Sequence, residues 1–190
     1  FESGDGFNDS VRLVRLQDDG RILVGGFFTK FNGKDINRVI RLNANGSLDE
    51  TFHIGSGANG SVYSMAVQSD HKILIGGSFT EFNGLIRNGI VRINSDGSID
   101  NSINFGTGAN GSILDIAIQE NYKIILGGGF TTFDGKEKNY IAQLHGGIIE
   151  GEGKLEFDFS KYTVAETGTN ATIRVVRRGG LDNEISVRLV

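Results

Sequence analysis

The stretch GGFFTKFNG at positions 25–33 returns as GGSFTEFNG at 76–84 and as GGGFTTFDG at 127–135, 51 residues apart each time. A fixed interval of this length marks a repeat architecture, in which each unit buries its apolar face only against its neighbours. A catalytic centre is ordinarily made once, so a motif made three times points first to construction. The register extends beyond the nonapeptide. Gly6, Gly57 and Gly108 correspond, as do Val11, Val62 and Ile113, then Leu42, Ile93 and Leu144, and also Asp49 and Asp100. Phe1 corresponds to Phe52 and Ile103, so the chain opens inside a repeat and reads as a piece of a longer or processed protein.

Within a unit the apolar period is two. VYSMAVQ (62–68) sets Val62, Ser64 and Ala66 against Tyr63, Met65 and Val67, the pattern of a strand. A turn at SDH leads to a second strand, KILIGG, and FTEFNG then ends in Asn-Gly, a hairpin dipeptide because both residues tolerate positive φ. GIVRIN (89–94) reads as a third strand and SIDNSI as a short fourth. No segment reads as helical. Four short antiparallel strands per unit of this size predict propeller-type blades. The paired glycines Gly25 and Gly26, Gly76 and Gly77, and Gly127 and Gly128 end the second strands where a side chain would obstruct close packing or a bulge. Phe28 and Phe31, Phe79 and Phe82, and Phe130 and Phe133 are expected to fill the space between blades, at roughly 1.5–3 kcal/mol per buried ring.

The composition agrees. Hydrophobic residues make up 38% of the 190, with 13 Phe, which is core material that a disordered chain lacks. There are 29 Gly and no Pro, which suits many tight turns. The absence of Cys excludes disulfides and thiolate metal sites but does not indicate a compartment. A net charge of −4 argues against nucleic-acid binding, and no apolar run approaches the ~20 residues of a membrane helix.

GGSFTEFNG, IVRINSDGSID and the glycine-rich GTGANGSI together resemble the delta-60 repeat of bacterial secreted and surface proteins, over about residues 1–147. The resemblance implies a β-propeller and an extracellular or cell-surface location. The third copy departs from it, with QLHGGIIEG in place of RLNANGSLD, and there the array ends. From 151 to 190 the register is lost and the sequence alternates as strands broken by ETGTN and RRGGLDN. YTVAE (162–166) and IRVVRRGG (173–180) resemble the start of a Calx-β domain, an immunoglobulin-like sandwich. Forty residues are less than half of such a domain and cannot close its core. The expected fold is therefore all-β: three four-stranded blades, then partial Calx-β strands.

That resemblance implies calcium stabilisation, with Glu166 as a ligand. A calcium ion takes 6–8 oxygens, so the other ligands must come from elsewhere. No other cofactor is expected. NANGSLD (43–49) and NSDGSID (94–100) space oxygens like a calcium loop but lack the closing glutamate, and Asp49 and Asp100 are expected to hold backbone amides instead. GSGANG (55–60) and GTGANG (106–111) match G-x-G-x-x-G, but a strand follows where a dinucleotide site needs a helix, and the first copy, GDGFND, breaks the pattern. These loops, with Asn59, Gly60, Asn110 and Gly111, are expected to line one face, where a ligand could sit. His53, His71 and His145 occupy unrelated repeat positions, and no nucleophile or metal motif is present, so no enzyme is expected. Arg174, Arg177 and Arg178 lie in a tail with six acidic and six basic residues, as a solvated strand face would.

The leading functional expectation is a structural or adhesion module of a large bacterial surface protein. The alternative is a carbohydrate-binding propeller, against which Tyr63 is Leu114 in the next copy. Three blades do not easily close a ring. Further blades are expected from a longer chain or from identical chains in an assembly, with a surface glycan or protein as an outside partner.

Overall fold

The computed structural model describes residues 1–146 except Ser3, together with two strands farther on, Lys154–Phe157 and Val175–Arg178. The first repeat comprises β1 (Val11–Leu16), β2 (Ile22–Gly26), β3 (Lys30–Phe31), β4 (Lys34–Asp35) and β5 (Val39–Leu42). The second comprises β6 (Val62–Val67), β7 (Ile73–Gly77), β8 (Glu81–Phe82), β9 (Leu85–Ile86) and β10 (Ile90–Ile93). The third comprises β11 (Ile113–Ile118), β12 (Lys123–Gly128), β13 (Thr132–Phe133), β14 (Lys136–Glu137) and β15 (Ile141–His145). The described residues contain no helix.

Each repeat makes one antiparallel three-stranded sheet, β1-β2-β5, β6-β7-β10 and β11-β12-β15, with the second strand in the centre. A two-residue ribbon leaves the sheet between its second and third strands. The Asn-Gly and Asp-Gly pairs turn these ribbons as expected. Asn32, Asn83 and Asp134 have φ of 48°, 54° and 49°, and each following glycine is also positive. The fourth strand differs from expectation. It is reduced to single bridges, Leu42↔Leu48 and Ile93↔Ile99. Beyond them the chain leaves its own sheet to cross to the next blade, where the His53 amide donates to the Asp96 carbonyl at 2.7 Å.

The paired glycines face a bulge in the first strand. Val11 pairs with Gly26 and Leu13 with Gly25, and the same slip recurs at Val62/Ser64 and Ile113/Asp115. They also let the next blade approach. A Cβ on Gly25 would lie 2.8 Å from Met65 Cε and 3.0 Å from Val62 Cγ1, both on the following blade. A Cβ on Gly76 would lie 2.5 Å from Ser64 Oγ and 2.8 Å from Ile113 Cγ2. Gly76→Val is therefore expected to overpack the second junction and destabilise by about 1–3 kcal/mol. Urea unfolding would show this as a lower midpoint at unchanged slope.

The core lies between blades. One cluster joins Leu23 and Val39 of the first blade to Met65, Ile75, Phe79 and Phe82 of the second. A second joins Leu74 and Ile90 to Ile113, Ile116, Phe130 and Phe133. Phe79, Phe82, Phe130 and Phe133 thus fill the junctions as expected, whereas Phe28 and Phe31, also expected between blades, pack with Val24, Ile40 and Leu42 of their own blade. The Phe7 ring lies over them, its centroid 4.4 and 4.8 Å from theirs.

The chain divides into two compact units, Phe1–Gly146 and Gly147–Val190. In the second unit, β16 (Lys154–Phe157) and β17 (Val175–Arg178) pair antiparallel, with Leu155 opposite Arg177 and Phe157 opposite Val175. Glu166, and most of the residues that carry the Calx-β resemblance, lie outside the described residues.

Candidate functional site: the loop face and the blade junctions

The glycine-rich loops are held by an asparagine clip repeated three times. Asn8 Oδ1 accepts hydrogen bonds from the Thr29 and Lys30 amides, both at 2.8 Å, and its Nδ2 donates to Thr29 Oγ1 at 3.0 Å. Asn59 treats Thr80 and Glu81 the same way, at 2.9, 3.0 and 3.0 Å. Asn110 does so with Thr131 and Thr132, at 2.8, 2.9 and 2.9 Å. The oxygens of Asn59 and Asn110 are thus occupied in tying each loop to the ribbon of its own blade. Asn8 escaped the motif reading because Asp9 replaces the glycine that follows in the other copies. The 51-residue interval alone would have found it.

A second set of polar groups spans the junctions. Arg41 Nε donates to Asp49 Oδ2 at 2.7 Å, and Arg92 Nε to Asp100 Oδ2 at 2.7 Å, with all four side chains buried. Each arginine continues into the next blade. Arg41 Nη1 donates to the Ser95 carbonyl, and Arg92 Nη1 to the Gly146 carbonyl, at equivalent turns. Arg41 also lies over the Phe52 ring, 4.5 Å from its centroid. Asn37 and Asn88 likewise donate across the junctions, to the Ser56 and Thr107 carbonyls, both at 2.8 Å.

Asp49 and Asp100 hold backbone amides as well. Asp49 Oδ1 accepts from the Thr51 amide at 3.0 Å and hydroxyl at 2.6 Å, and Asp100 Oδ1 from those of Ser102 at 2.9 and 2.6 Å. Burial pushes both carboxyls up. The Thr51 and Ser102 hydrogen bonds and the neighbouring cations more than offset it, holding each at about 2. The folded-state value lies below the ordinary one, so this stabilisation is complete above about pH 4 and is lost as pH falls toward 2. The unfolding midpoint is expected to fall across that window, and more steeply than in a variant with both aspartates changed to asparagine.

One side-chain oxygen at the tip of each candidate calcium loop is engaged within the loop. Asn45 Oδ1 accepts from Ser47, and Asp96 Oδ1 from Ser98, through amide and hydroxyl in both cases. Among the described residues, no three His, Cys, Asp or Glu side chains converge.

One cleft opens on the loop face between the second and third blades. It encloses about 450 Å³ and is lined by Ser78, Thr80, Asn88, Gly89, Ala109, Asn110, Gly111 and Thr132, among others. Its width follows from two small residues. Gly89 stands where the first blade has Arg38, and Ser78 where it has Phe27. At the preceding junction the Arg38 guanidinium donates to the Ala58 carbonyl at 2.8 Å, and the Phe27 ring meets Tyr63 edge-on at 5.9 Å.

Sheets of this build, repeated in register and joined by shared apolar junctions, define a propeller-type repeat. Comparison with known families agrees. The profile of a domain of unknown function, the DUF5122 beta-propeller, matches residues 17–52 and 68–102. These segments lie in the first and second repeats. No curated protein matches the chain.

Proposed function

We propose that the chain is a non-enzymatic structural module of a large bacterial secreted or cell-surface protein, which works by presenting a rigid β-repeat surface for adhesion. The observation that carries this reading is the threefold asparagine clip: polar side chains on the loop face hold the loops in place, so the face is preorganised for contact. Hydrogen exchange tests it. The Thr29, Thr80 and Thr131 amides are expected to exchange as slowly as those of the sheets. Exchange at the rate of an open loop would sink the reading.

Calcium stabilisation of the tail through Glu166 belongs to the same proposal, on the Calx-β resemblance. Thermal unfolding with and without calcium, repeated on Glu166→Gln, is its measurement. A calcium-dependent rise in midpoint that the variant loses is the expected result.

The cleft beside Gly89 favours a second reading, carbohydrate binding at one site. Its lining of hydroxyls, amides and backbone groups suits a neutral polyhydroxylated ligand. Gly89 has φ of 73°, and Arg38 holds the equivalent position at 65°, so Gly89→Arg is compatible with the backbone. A glycan array bound by the parent chain and lost in Gly89→Arg would support this reading. No binding, or binding that survives the substitution, would remove it.

A further inference from the structure

Six asparagines of the array precede a glycine: Asn32, Asn45, Asn59, Asn83, Asn88 and Asn110. In such a pair the glycine nitrogen can attack the asparagine Cγ, because proximity favours the intramolecular reaction and glycine has no side chain to hinder it. The fold treats the six pairs differently. Asn59 and Asn110 are clamped at both ends of the carboxamide, Oδ1 by two ribbon amides and Nδ2 by a threonine hydroxyl. Asn88 Nδ2 donates to the Thr107 carbonyl and the Gly89 nitrogen to the Phe79 carbonyl, both at 2.8 Å. The Gly46 nitrogen, which would attack Asn45, donates to the Asn43 carbonyl at 2.9 Å. At each of these four, hydrogen bonds must break before a ring can close.

Asn83 is arranged in the opposite sense. Its Oδ1 accepts from the Ser56 amide at 2.8 Å and from the Ser56 hydroxyl at 3.3 Å. These donors draw electron density from Cγ and support the oxyanion that forms on Oδ1 during attack. The leaving group is Asn83 Nδ2 and the nucleophile is the Gly84 nitrogen. Among the described residues, neither has a hydrogen-bond partner. Asn32 shares the arrangement with a single donor, the Gly6 amide at 2.9 Å. The third repeat already carries the acid form. Asp134 stands at this position with φ of 49°, against 54° at Asn83, and its Oδ1 accepts from the Thr107 amide at 3.1 Å.

We propose that Asn83 is a site of self-deamidation, set apart from the clamped pairs by the fold. The Gly84 nitrogen gives up its proton to water and bonds to Cγ, and Nδ2 takes a proton and leaves as ammonia. Water then opens the cyclic imide. Cleavage between the nitrogen and Cγ gives aspartate with the main chain restored, and cleavage between the nitrogen and the main-chain carbonyl carbon gives isoaspartate. Either way one water is consumed and one ammonia released. The aspartate adds a negative charge beside the second glycine-rich loop and keeps the Ser56 amide as a donor, as Asp134 keeps that of Thr107.

Incubation of the full 190-residue chain at mildly alkaline pH, followed by proteolysis and mass spectrometry, tests the proposal. Asn83 is expected to convert several-fold faster than Asn45, Asn59, Asn88 and Asn110. In urea, where the hydrogen bonds are gone, the rates should converge. Asn83→Asp is expected to keep the parent's unfolding midpoint. Conversion at Asn83 no faster than at Asn59 in the folded protein overturns the proposal. So does a ranking that survives in urea, since local sequence would then account for it, or a clear fall in midpoint for Asn83→Asp.

Discussion

Phe82→Ala is expected to destabilise the array by about 3–5 kcal/mol. Phe82 is fully buried on the two-residue strand β8, which pairs with the two-residue β9 and is bridged on its other side to Ala58. A ribbon of that size has no stability of its own and depends on docking through this ring. The ring packs with Phe79 at 5.8 Å between centroids, and its residue bridges to Ala58, so it joins ribbon, loop and sheet in one cluster. Truncation removes the transfer energy of the ring and leaves a cavity that backbone from two blades must collapse to fill. The loss would show as a lower urea midpoint, with faster hydrogen exchange in the ribbon and in the Asn59 loop clipped to it. Phe82→Leu should lose clearly less. A midpoint within 1 kcal/mol of the parent for the alanine variant would mean that the ribbon is held by its hydrogen bonds alone.

Asp100→Ala is expected to cost a similar amount, about 3–5 kcal/mol, for a different reason. Removing the carboxylate leaves the Arg92 guanidinium buried at the junction, with Lys72 beside it at 3.1 Å from the lost oxygen and now without that partner. The remaining neutral acceptors, Gln68 Oε1, Ser102 Oγ and the Gly146 carbonyl, do not replace a full negative charge. Replacing Arg92 and Asp100 together by leucine should cost much less than the single change, because no orphaned charge remains. Denaturant unfolding of the two single variants and the double variant forms a cycle that measures the coupling. Additive losses would show that the pair is screened like a surface ion pair.

The repeat, the strands and the Asn-Gly hairpins were legible because each is a local pattern: a fixed interval, a period of two, a dipeptide that tolerates positive φ. The close approach at Gly25, Gly26, Gly76, Gly77 and Gly128 fits the reading of the paired glycines as sites where a side chain would obstruct packing or a bulge. Arg41 and Arg92 were not legible. Each sits in a strand that reads as ordinary, and its acceptor lies 54 residues away on the next blade. Their spacing of 51 was visible, but nothing local says that a charge in an apolar strand is buried and paired. The fourth strand was over-read for a related reason. The segment after Leu48 alternates like a strand, but Asp49 turns inward to Arg41 and Thr51, and the chain departs for the next blade. Asn59 and Asn110 stand on the loops between the blades' strands. Their oxygens are directed at the ribbon, which a turn motif alone does not reveal.

Because every unit carries both halves of the same junction, the length of the array is free to vary. Removing the 51 residues from 43 to 93 would join Leu42 to Asn94 in register and bring Ile113 and Ile116 over Gly25. The carbonyl of Gly146 would then stand where Arg41 now meets that of Ser95. Duplicating the same segment would add a blade bounded by two ordinary junctions. A change in length by whole units of 51 residues therefore keeps every remaining junction in register. The interval that organises the fold is also the step by which a lineage could change its size.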